Sequence, residues 1–150
     1  NAIDIVFNKP PRIASNNIKM DGYNIYYLNG QAYDRIGLER YREMYLVTDL
    51  ERTLIDITVK PCYSGGVTQI LEAYHNSKEL IDVEKLLKYY TKMNFTYPYH
   101  QAIGFYLQKV GISDYKLFKY FNRDFKFYLT YNILHQEFSD EWNIIYPKGI

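Results

Sequence analysis

Residues 47–56, V-T-D-L-E-R-T-L-I-D, mark the place where the chain changes from strand-like to helical patterning. Thr48 stands three residues before Glu51, which is the spacing of a capping box at the start of a helix. Leucine and isoleucine then recur on one face, and Pro61 interrupts the pattern. We therefore predict a helix that begins at Thr48 and ends before Pro61.

The first 47 residues carry the signals of strands and tight turns. Asp21-Gly22 and Asn29-Gly30 are dipeptides typical of two-residue hairpin turns, in which both positions must accept a positive φ. Apolar and polar residues alternate around these turns, which predicts an antiparallel meander over about residues 13–36. M-Y-L-V, residues 44–47, is a further strand candidate.

Four more helical patterns follow Pro61, and the tail then returns to strand-like patterning. The helix starts are, in order, Ser64-Gly65-Gly66, the cap Asp82, Tyr99 and the cap Ser113. The fourth helix ends at about Val110, before Gly111, and the fifth has Phe118 and Phe125 on its inward side. Strands are predicted within residues 125–131 and 142–146. The order predicts one α+β domain over residues 1–150: an antiparallel sheet, built from the N-terminal meander and the C-terminal strands, packed with about five helices.

Composition is that of an ordinary globular domain. The 150 residues are 47% hydrophobic, which is enough to bury a core. The net charge of +1 does not indicate a nucleic-acid-binding or membrane-surface protein. No apolar run approaches the length of about 20 residues that spans a bilayer. A single cysteine, Cys62, fits a reducing compartment, so we expect a cytoplasmic protein with no membrane partner.

Three clustered carboxylates, those of Asp49, Glu51 and Asp56, are the candidates for an enzymatic site. Each has a structural alternative: Glu51 in the capping box, Asp49 at the positive end of the helix dipole, and Asp56 paired with Arg52 one turn away. Helix geometry is expected to place Asp49 and Glu51 on different sides, so that they do not converge on a substrate. The sequence therefore predicts no enzyme, no metal site and no cofactor.

The segment P-C-Y-S-G-G, residues 61–66, lacks the lysine and spacing of a phosphate-binding loop. Gly65 and Gly66 are expected to form a tight turn between packed helices. Cys62 would need a neighbouring histidine to act as a nucleophile. The three histidines, which show no metal-ligand spacing, are His75, His100 and His135.

Basic residues are concentrated in the helical part of the chain. Residues 78–126 contain nine Lys/Arg against five Asp/Glu, a net charge of +4. Two sets of three basic residues have spacings of three and four residues. Each set lies on the helix face opposite the apolar stripe. The alternatives are a solvated helix face and a surface for phosphates or an acidic partner. The candidate nucleic-acid or partner-binding residues are Lys85, Lys88, Lys92, Lys116, Lys119 and Arg123.

The central motif resembles the AbiEi antitoxin family. The similarity rests on V-T-D-L-E-R-T-L-I-D, then Pro61, then G-G-V-T-Q-I-L-E-A-Y, and extends to Q-A-I-G-F-Y-L-Q-K-V-G and the closing W-N-I-I-Y. It covers about residues 44–146 and corresponds to the family's C-terminal domain. The positions that match the family signature are Asp49, Glu51, Arg52, Asp56, Gly65 and Gly66. The loop K-P-C-Y-S-G-G and the many tyrosines depart from the usual pattern.

This resemblance implies a non-enzymatic antitoxin and regulatory domain of a phage-defence toxin–antitoxin module. The family pairs functionally with a nucleotidyltransferase toxin, and its N-terminal winged helix-turn-helix binds promoter DNA. Our chain has no plausible helix-turn-helix, so that part is expected to be missing from it. The signature positions are expected to build the fold, with Arg52 the best candidate for a second role.

Two other functions stay open at this point. A protein-interaction module without nucleic-acid contact would be favoured by exposed tyrosines clustered beside Trp142. An enzyme would require Asp49, Glu51 and Asp56 to converge in a pocket.

Overall fold

A computed structural model of the chain describes residues 3–9, 18–20, 22–29 and 35–150. The chain divides after Arg35 into two compact units, and each is described by itself. The prediction of a single domain stays a prediction.

The first unit contains one three-stranded sheet in the order β1-β3-β2, formed by β1 (Ile3–Lys9), β2 (Ile18–Met20) and β3 (Tyr23–Asn29). β2 and β3 pair antiparallel across a turn at Gly22, where φ is +79°, and this confirms the first predicted hairpin. β1 pairs parallel to β3, with Ile3 opposite Tyr23 and Lys9 opposite Asn29. The second predicted turn involves Gly30, which lies outside the described residues.

The second unit opens with a hairpin and continues into helices. β4 (Leu38–Tyr41) pairs antiparallel with β5 (Tyr45–Thr48), which confirms the strand predicted at residues 44–47. The helices that follow are α1 (Leu50–Val59), α2 (Val67–Ser77), α3 (Val83–Met93), α4 (Tyr99–Lys109) and two 3-10 helices, Pro61–Tyr63 and Ser113–Tyr120.

The start of α1 differs from the predicted capping box. Asp49 is the N-cap, and its Oδ1 accepts a hydrogen bond from the backbone N–H of Arg52 at 3.0 Å. Thr48 still belongs to β5, and its hydroxyl lies 2.7 Å from that of Thr53. Glu51 Oε1 accepts instead from the backbone N–H of Asp82 at 3.0 Å. The predicted capping box is wrong for two reasons. β5 extends one residue further than predicted and includes Thr48, and the Glu51 side chain bonds to the start of α3 instead of to its own helix.

The boundaries of α3 and α4 agree more closely with those predicted from the sequence. Asp82 caps α3, since its Oδ1 accepts from the N–H of Lys85 at 2.9 Å. α4 ends before Gly111, whose φ of +84° favours glycine. Ser113 is not a side-chain cap, and the fifth predicted helix is the longer 3-10 helix. Phe118 in this helix is buried, as predicted. Phe125, which follows the helix, is 52% exposed, so the prediction that it points inward is wrong.

The C-terminal strands form a sheet of their own, in the order β6-β8-β7, from β6 (Phe127–Tyr128), β7 (Gln136–Ser139) and β8 (Ile144–Pro147). β6 runs parallel to β8, and β7 runs antiparallel to it. The α+β class with about five helices is confirmed. The strands of the two chain ends nevertheless belong to separate sheets among the described residues, so the single joint sheet is not formed.

α4 lies at the centre of the second unit. Residues 100–107 are all buried, so this helix is covered on every side by its neighbours. The fully buried Trp142 packs against Gly104, where an added Cβ would overlap the indole ring. The side-chain amide Nε2 of Gln101 donates to the carbonyl oxygens of Phe125 and Trp142. These contacts join α4 to the segments that follow it.

In the described ranges, none of the helices combines the length and apolar character needed to cross a bilayer.

Candidate functional site

Two carboxylates of the signature stretch meet at one lysine. Lys85 Nζ lies 3.0 Å from Asp49 Oδ2 and 2.7 Å from Glu51 Oε2. The hydroxyl of Tyr89 donates to Asp49 Oδ2 at 2.8 Å. The prediction that Asp49 and Glu51 point to different sides is therefore wrong. Asp49 precedes the first helical turn, so helical periodicity does not set the direction of its side chain.

The contacts in this cluster shift the pKa values of Asp49 and Lys85 in the directions that favour their ionised forms. Burial alone would raise the pKa of Asp49, but hydrogen bonds from the Arg52 N–H, Lys85 and Tyr89 hold it below its usual value. Hydrogen bonding to Glu51, with a further contribution from Asp49, raises the pKa of Lys85. The carboxylates thus have partners within the protein, and the cluster fastens α1 to α3.

Arg52 and Asp56 form the predicted pair within α1. Arg52 Nε lies 2.9 Å from both carboxylate oxygens of Asp56, and its Nη1 donates to the carbonyl oxygen of Ile36 at 2.8 Å. Burial raises the pKa of Asp56, and the adjacent guanidinium opposes this shift. Because the Arg52 side chain is buried, its contacts stabilise the fold and do not present a cation at the surface.

Gly65 and Gly66 form the expected tight turn between α1 and α2. Their φ angles are +74° and +85°, a region that side-chain-bearing residues rarely adopt. The N–H of Gly66 donates to the carbonyl oxygen of Pro61 at 3.0 Å. A Cβ at Gly65 would meet the side chain of Gln69. The geometry is that of a chain reversal.

Three of the six basic candidates have partners inside the protein. Lys85 belongs to the cluster with Asp49 and Glu51. Lys119 pairs with the carboxylate of Glu141, and Arg123 Nη1 donates to the backbone carbonyl of the same residue. Hydrogen bonding from Lys119 lowers the pKa of the Glu141 carboxyl.

The other three basic candidates are exposed. Lys88 and Lys92 lie on α3, and Lys116 lies on the longer 3-10 helix. Binding of nucleic acid or a partner by the six residues stays a prediction. The structure nevertheless divides them into cations with internal partners and cations that face solvent.

An aromatic cleft of about 940 Å³ opens between the turn after α3 and the segment after the longer 3-10 helix. Its aromatic lining consists of Tyr90, Phe95, Tyr97, His100, Phe121 and Phe125. The rings of Tyr97 and Phe125 meet edge to face with centroids 5.4 Å apart. Asn94, Asn122 and Asp124 add polar groups to the lining. The volume lies within the range of ligand-binding pockets, about 300–1,000 Å³.

His100 connects the two walls of this aromatic cleft. Its Nε2 lies 2.8 Å from the carbonyl oxygen of Asn122, and its Nδ1 lies 3.1 Å from the hydroxyl of Tyr90. A carbonyl can only accept, so Nε2 carries the hydrogen and Nδ1 accepts from Tyr90 in the neutral ring. The ring also stacks on Phe121 at 4.9 Å. Burial lowers the pKa of His100, which favours this neutral form.

The outer face of the C-terminal sheet carries an exposed aromatic row, defined as Tyr128, Ile145 and Phe138. Tyr128 and Phe138 each pair in register with Ile145, so the three side chains share one face. Tyr128 is 50% exposed and Phe138 is 48% exposed. Trp142 itself is fully buried and does not belong to this exposed surface.

Cys62 is exposed with a free thiol. Within the part of the chain that the structure describes, no three His, Cys, Asp or Glu side chains are grouped to hold a metal ion.

No protein-family model, curated protein or solved structure matches this chain.

Sequence reasoning missed the aromatic cleft and the aromatic row. The cleft residues come from segments far apart in the chain, and their aromatic character alone is equally typical of a core. A usable signal lay in His100 and Gln101, which are polar residues at the start of a helix whose other faces are apolar. Buried polar side chains require partners, and here those partners are the segments around the cleft.

Proposed function

We propose that residues 36–150 form a non-enzymatic regulatory domain of the antitoxin type, which acts by binding another protein. The resemblance of residues 44–146 to the AbiEi family supports the antitoxin part. The internal partners of Asp49, Glu51 and Asp56 support a non-enzymatic role, because an acid or base catalyst must reach its substrate.

The observation that carries the protein-binding part is the aromatic row on the C-terminal sheet. Contiguous exposed apolar surface in a folded domain marks interaction sites, and aromatic residues dominate the energetics of protein interfaces. Tyr131 and Leu134, in the connection from β6 to β7, are also strongly exposed. A partner that covers the aromatic row would bury both rings together with Ile145.

The wider functional setting follows from the same proposal. The protein would act in the cytoplasm and would be functionally paired with a nucleotidyltransferase toxin of its module. Promoter DNA would be bound mainly by a winged helix-turn-helix outside this chain. The aromatic row would then contact a protein of the module and would make no contact with DNA.

The proposal is tested by searching the flanking genes for a nucleotidyltransferase and co-expressing that enzyme with this protein. The protein is expected to restore growth that the toxin inhibits. Tyr128→Ser combined with Phe138→Ser is expected to abolish this rescue, because it removes both exposed rings. The control is Tyr120→Ser, which removes a still more exposed ring, 89% accessible, from the longer 3-10 helix.

Two results would contradict different parts of the proposal. If the unaltered protein does not restore growth, or no such toxin gene lies nearby, the antitoxin assignment fails. If the unaltered protein and the double variant rescue equally well, the aromatic row is not the contact surface. Circular dichroism of the purified variants confirms that they fold.

A further inference from the structure

We propose that the aromatic cleft binds an arginine side chain of a partner protein, with the guanidinium group against Tyr97 and Phe125 and paired with the carboxylate of Asp124. This second contact site goes beyond the proposed function, because none of its lining residues belongs to the aromatic row. Three properties of the described residues support it: the charge of the cleft, the arrangement of its rings, and a wall that is fixed in place.

The charge of the aromatic cleft is complementary to a cation. Asp124 is the one charged side chain among the described residues that line it. Neighbouring cations lie against rings outside the cleft. Lys126 Nζ is 6.0 Å from the ring centroid of Phe138, and the guanidinium carbon of Arg123 is 5.8 Å from that of Trp142. None of the ion pairs in the described ranges includes the Asp124 carboxylate, so it is available to an incoming cation.

The rings beside this carboxylate are accessible to a planar cation. Phe125, which follows Asp124 in the chain, is 52% exposed, and Tyr97 is 38% exposed. The two rings meet at an interplanar angle of 74° with centroids 5.4 Å apart. A guanidinium group can therefore stack on one ring and meet the edge of the other, while its own edge stays open to hydrogen bonds. The face of an aromatic ring attracts a cation, and the attraction strengthens as water is displaced.

The acceptor groups of the lining favour arginine over lysine. A guanidinium group has five N–H donors in one plane, and two of them can pair with both oxygens of the Asp124 carboxylate. The exposed side chains of Thr91 and Asn94 add further acceptor oxygens. The lysine ammonium group is more strongly hydrated, so it loses more on entering an aromatic site. The cleft volume of about 940 Å³ also leaves room for the peptide backbone that carries the side chain.

The wall that carries Asp124 is held in place by hydrogen bonds from both sides. Asn122 Oδ1 accepts from the backbone N–H of Asp124 at 2.7 Å, and Asn143 Nδ2 donates to the backbone carbonyl of Asp124 at 3.1 Å. His100 Nε2 donates to the backbone carbonyl of Asn122 at 2.8 Å. A site that is formed before the ligand arrives loses less free energy on binding.

The direct test is an NMR titration of the isotope-labelled chain with the peptide acetyl-Gly-Gly-Arg-Gly-Gly-amide, in which the guanidinium group is the only charge. Backbone amide signals within residues 94–97 and 121–125 are expected to shift as the peptide is raised to about 10 mM. The matched peptide carries citrulline, whose uncharged urea group has almost the shape of guanidinium. It is expected to bind about 2-fold to about 30-fold more weakly. A peptide with lysine in place of arginine should also bind more weakly.

Variants of the chain identify the groups that make the contact. Asp124→Asn removes the charge but keeps the size of an exposed side chain, and Phe125→Ala removes the more exposed ring. Each is expected to weaken binding of the arginine peptide by at least about 2-fold. Asp124→Asn should also reduce the preference for arginine over citrulline, which keeps the test decisive if the ring variant unfolds.

Matched controls come from elsewhere in the same unit. Asp140→Asn removes an exposed carboxylate that does not line the aromatic cleft. Tyr128→Ala removes a ring that is 50% exposed, close to the exposure of Phe125. Neither substitution is expected to change the affinity for the arginine peptide.

Three outcomes would overturn the inference. They are the absence of shifts at the cleft signals with the arginine peptide, equal binding of the arginine peptide and either the citrulline or the lysine peptide, and an unchanged preference for arginine in the Asp124→Asn variant. Failure here leaves the antitoxin assignment untouched, because growth rescue is measured on variants of the aromatic row.

Discussion

Lys85 Nζ lies 2.7 Å from Glu51 Oε2, although the two residues belong to different helices. The buried Glu51 also accepts the backbone N–H of Asp82, so one carboxylate both holds the N-cap residue of α3 and pairs with the first basic residue of that helix. The predicted basic face of α3 is thereby divided. Lys85 joins α3 to α1, whereas Lys88 and Lys92 face solvent.

Lys85→Gln is expected to lower the free energy of unfolding, because it leaves two carboxylates without their shared cation. Breaking a fully buried pair costs about 3–5 kcal/mol, and partial exposure of Lys85 reduces the expected loss to about 1–3 kcal/mol. Urea denaturation at neutral pH measures it. Lys88→Gln on the same helix is the control and should change stability by less than about 0.5 kcal/mol. Equal effects of the two substitutions would show that the cluster does not stabilise the fold.

Arg52→Gln is expected to destabilise the protein by about 2–4 kcal/mol, because it removes the partner of Asp56 and of the Ile36 carbonyl. Burial already raises the pKa of Asp56 above 3.8, and loss of the guanidinium raises it further. The folded state then holds a proton that the unfolded chain releases, so stability falls as pH rises above 3.8.

Urea denaturation at about pH 4 and about pH 7 tests this pH dependence. The loss of unfolding free energy caused by Arg52→Gln should be larger at the higher pH. Arg52→Gln combined with Asp56→Asn serves as the control and should largely remove the pH difference. A penalty that is independent of pH would contradict the proposed role of Arg52 as the partner of a buried carboxylate.

Gly104→Ala is expected to lower the melting temperature, against the usual helix preference. Alanine normally stabilises a helix interior by about 1 kcal/mol relative to glycine. At this position its Cβ would overlap the indole of Trp142, and overpacking costs about 1–3 kcal/mol. Trp142→Phe removes the overlapping ring, so Gly104→Ala should be tolerated better in that background. An additive double-mutant cycle would contradict the contact.

Stability is expected to fall as pH drops below 6.5 because of His100. Burial lowers the pKa of this histidine in the folded state, whereas the unfolded chain titrates near 6.5. The stabilisation is therefore complete above 6.5 and is lost progressively as pH falls through the folded pKa. An NMR titration should place the His100 pKa below 6.5.

His100→Gln should flatten the pH dependence of the urea midpoint, whereas substitution of the exposed His135 should not. A His100 pKa at or above 6.5 in the folded protein would contradict burial as the dominant influence.

Local patterns were sufficient to locate several elements. The sequence patterns predicted the starts of α1 to α4, and the ends of α1 and α4, to within about three residues, because a helix buries one face every 3.6 residues wherever it packs. Asp82 was recognised as a cap because capping uses only its own helix. The hairpin at Gly22 was recognised because turn geometry depends on two adjacent residues. These features are determined by interactions between near neighbours in the chain.

The sequence by itself therefore determined the class, most helix positions and which residues are charged, and the tertiary structure decided which partner each charge meets. Glu51 is within reach of its own N-cap, but packing of α3 on α1 brings the Asp82 N–H and Lys85 to it instead. Parallel pairing of β1 with β3 and the two walls of the aromatic cleft likewise arise between segments far apart in sequence. Such contacts depend on how whole elements pack, and local propensity carries no information about that packing.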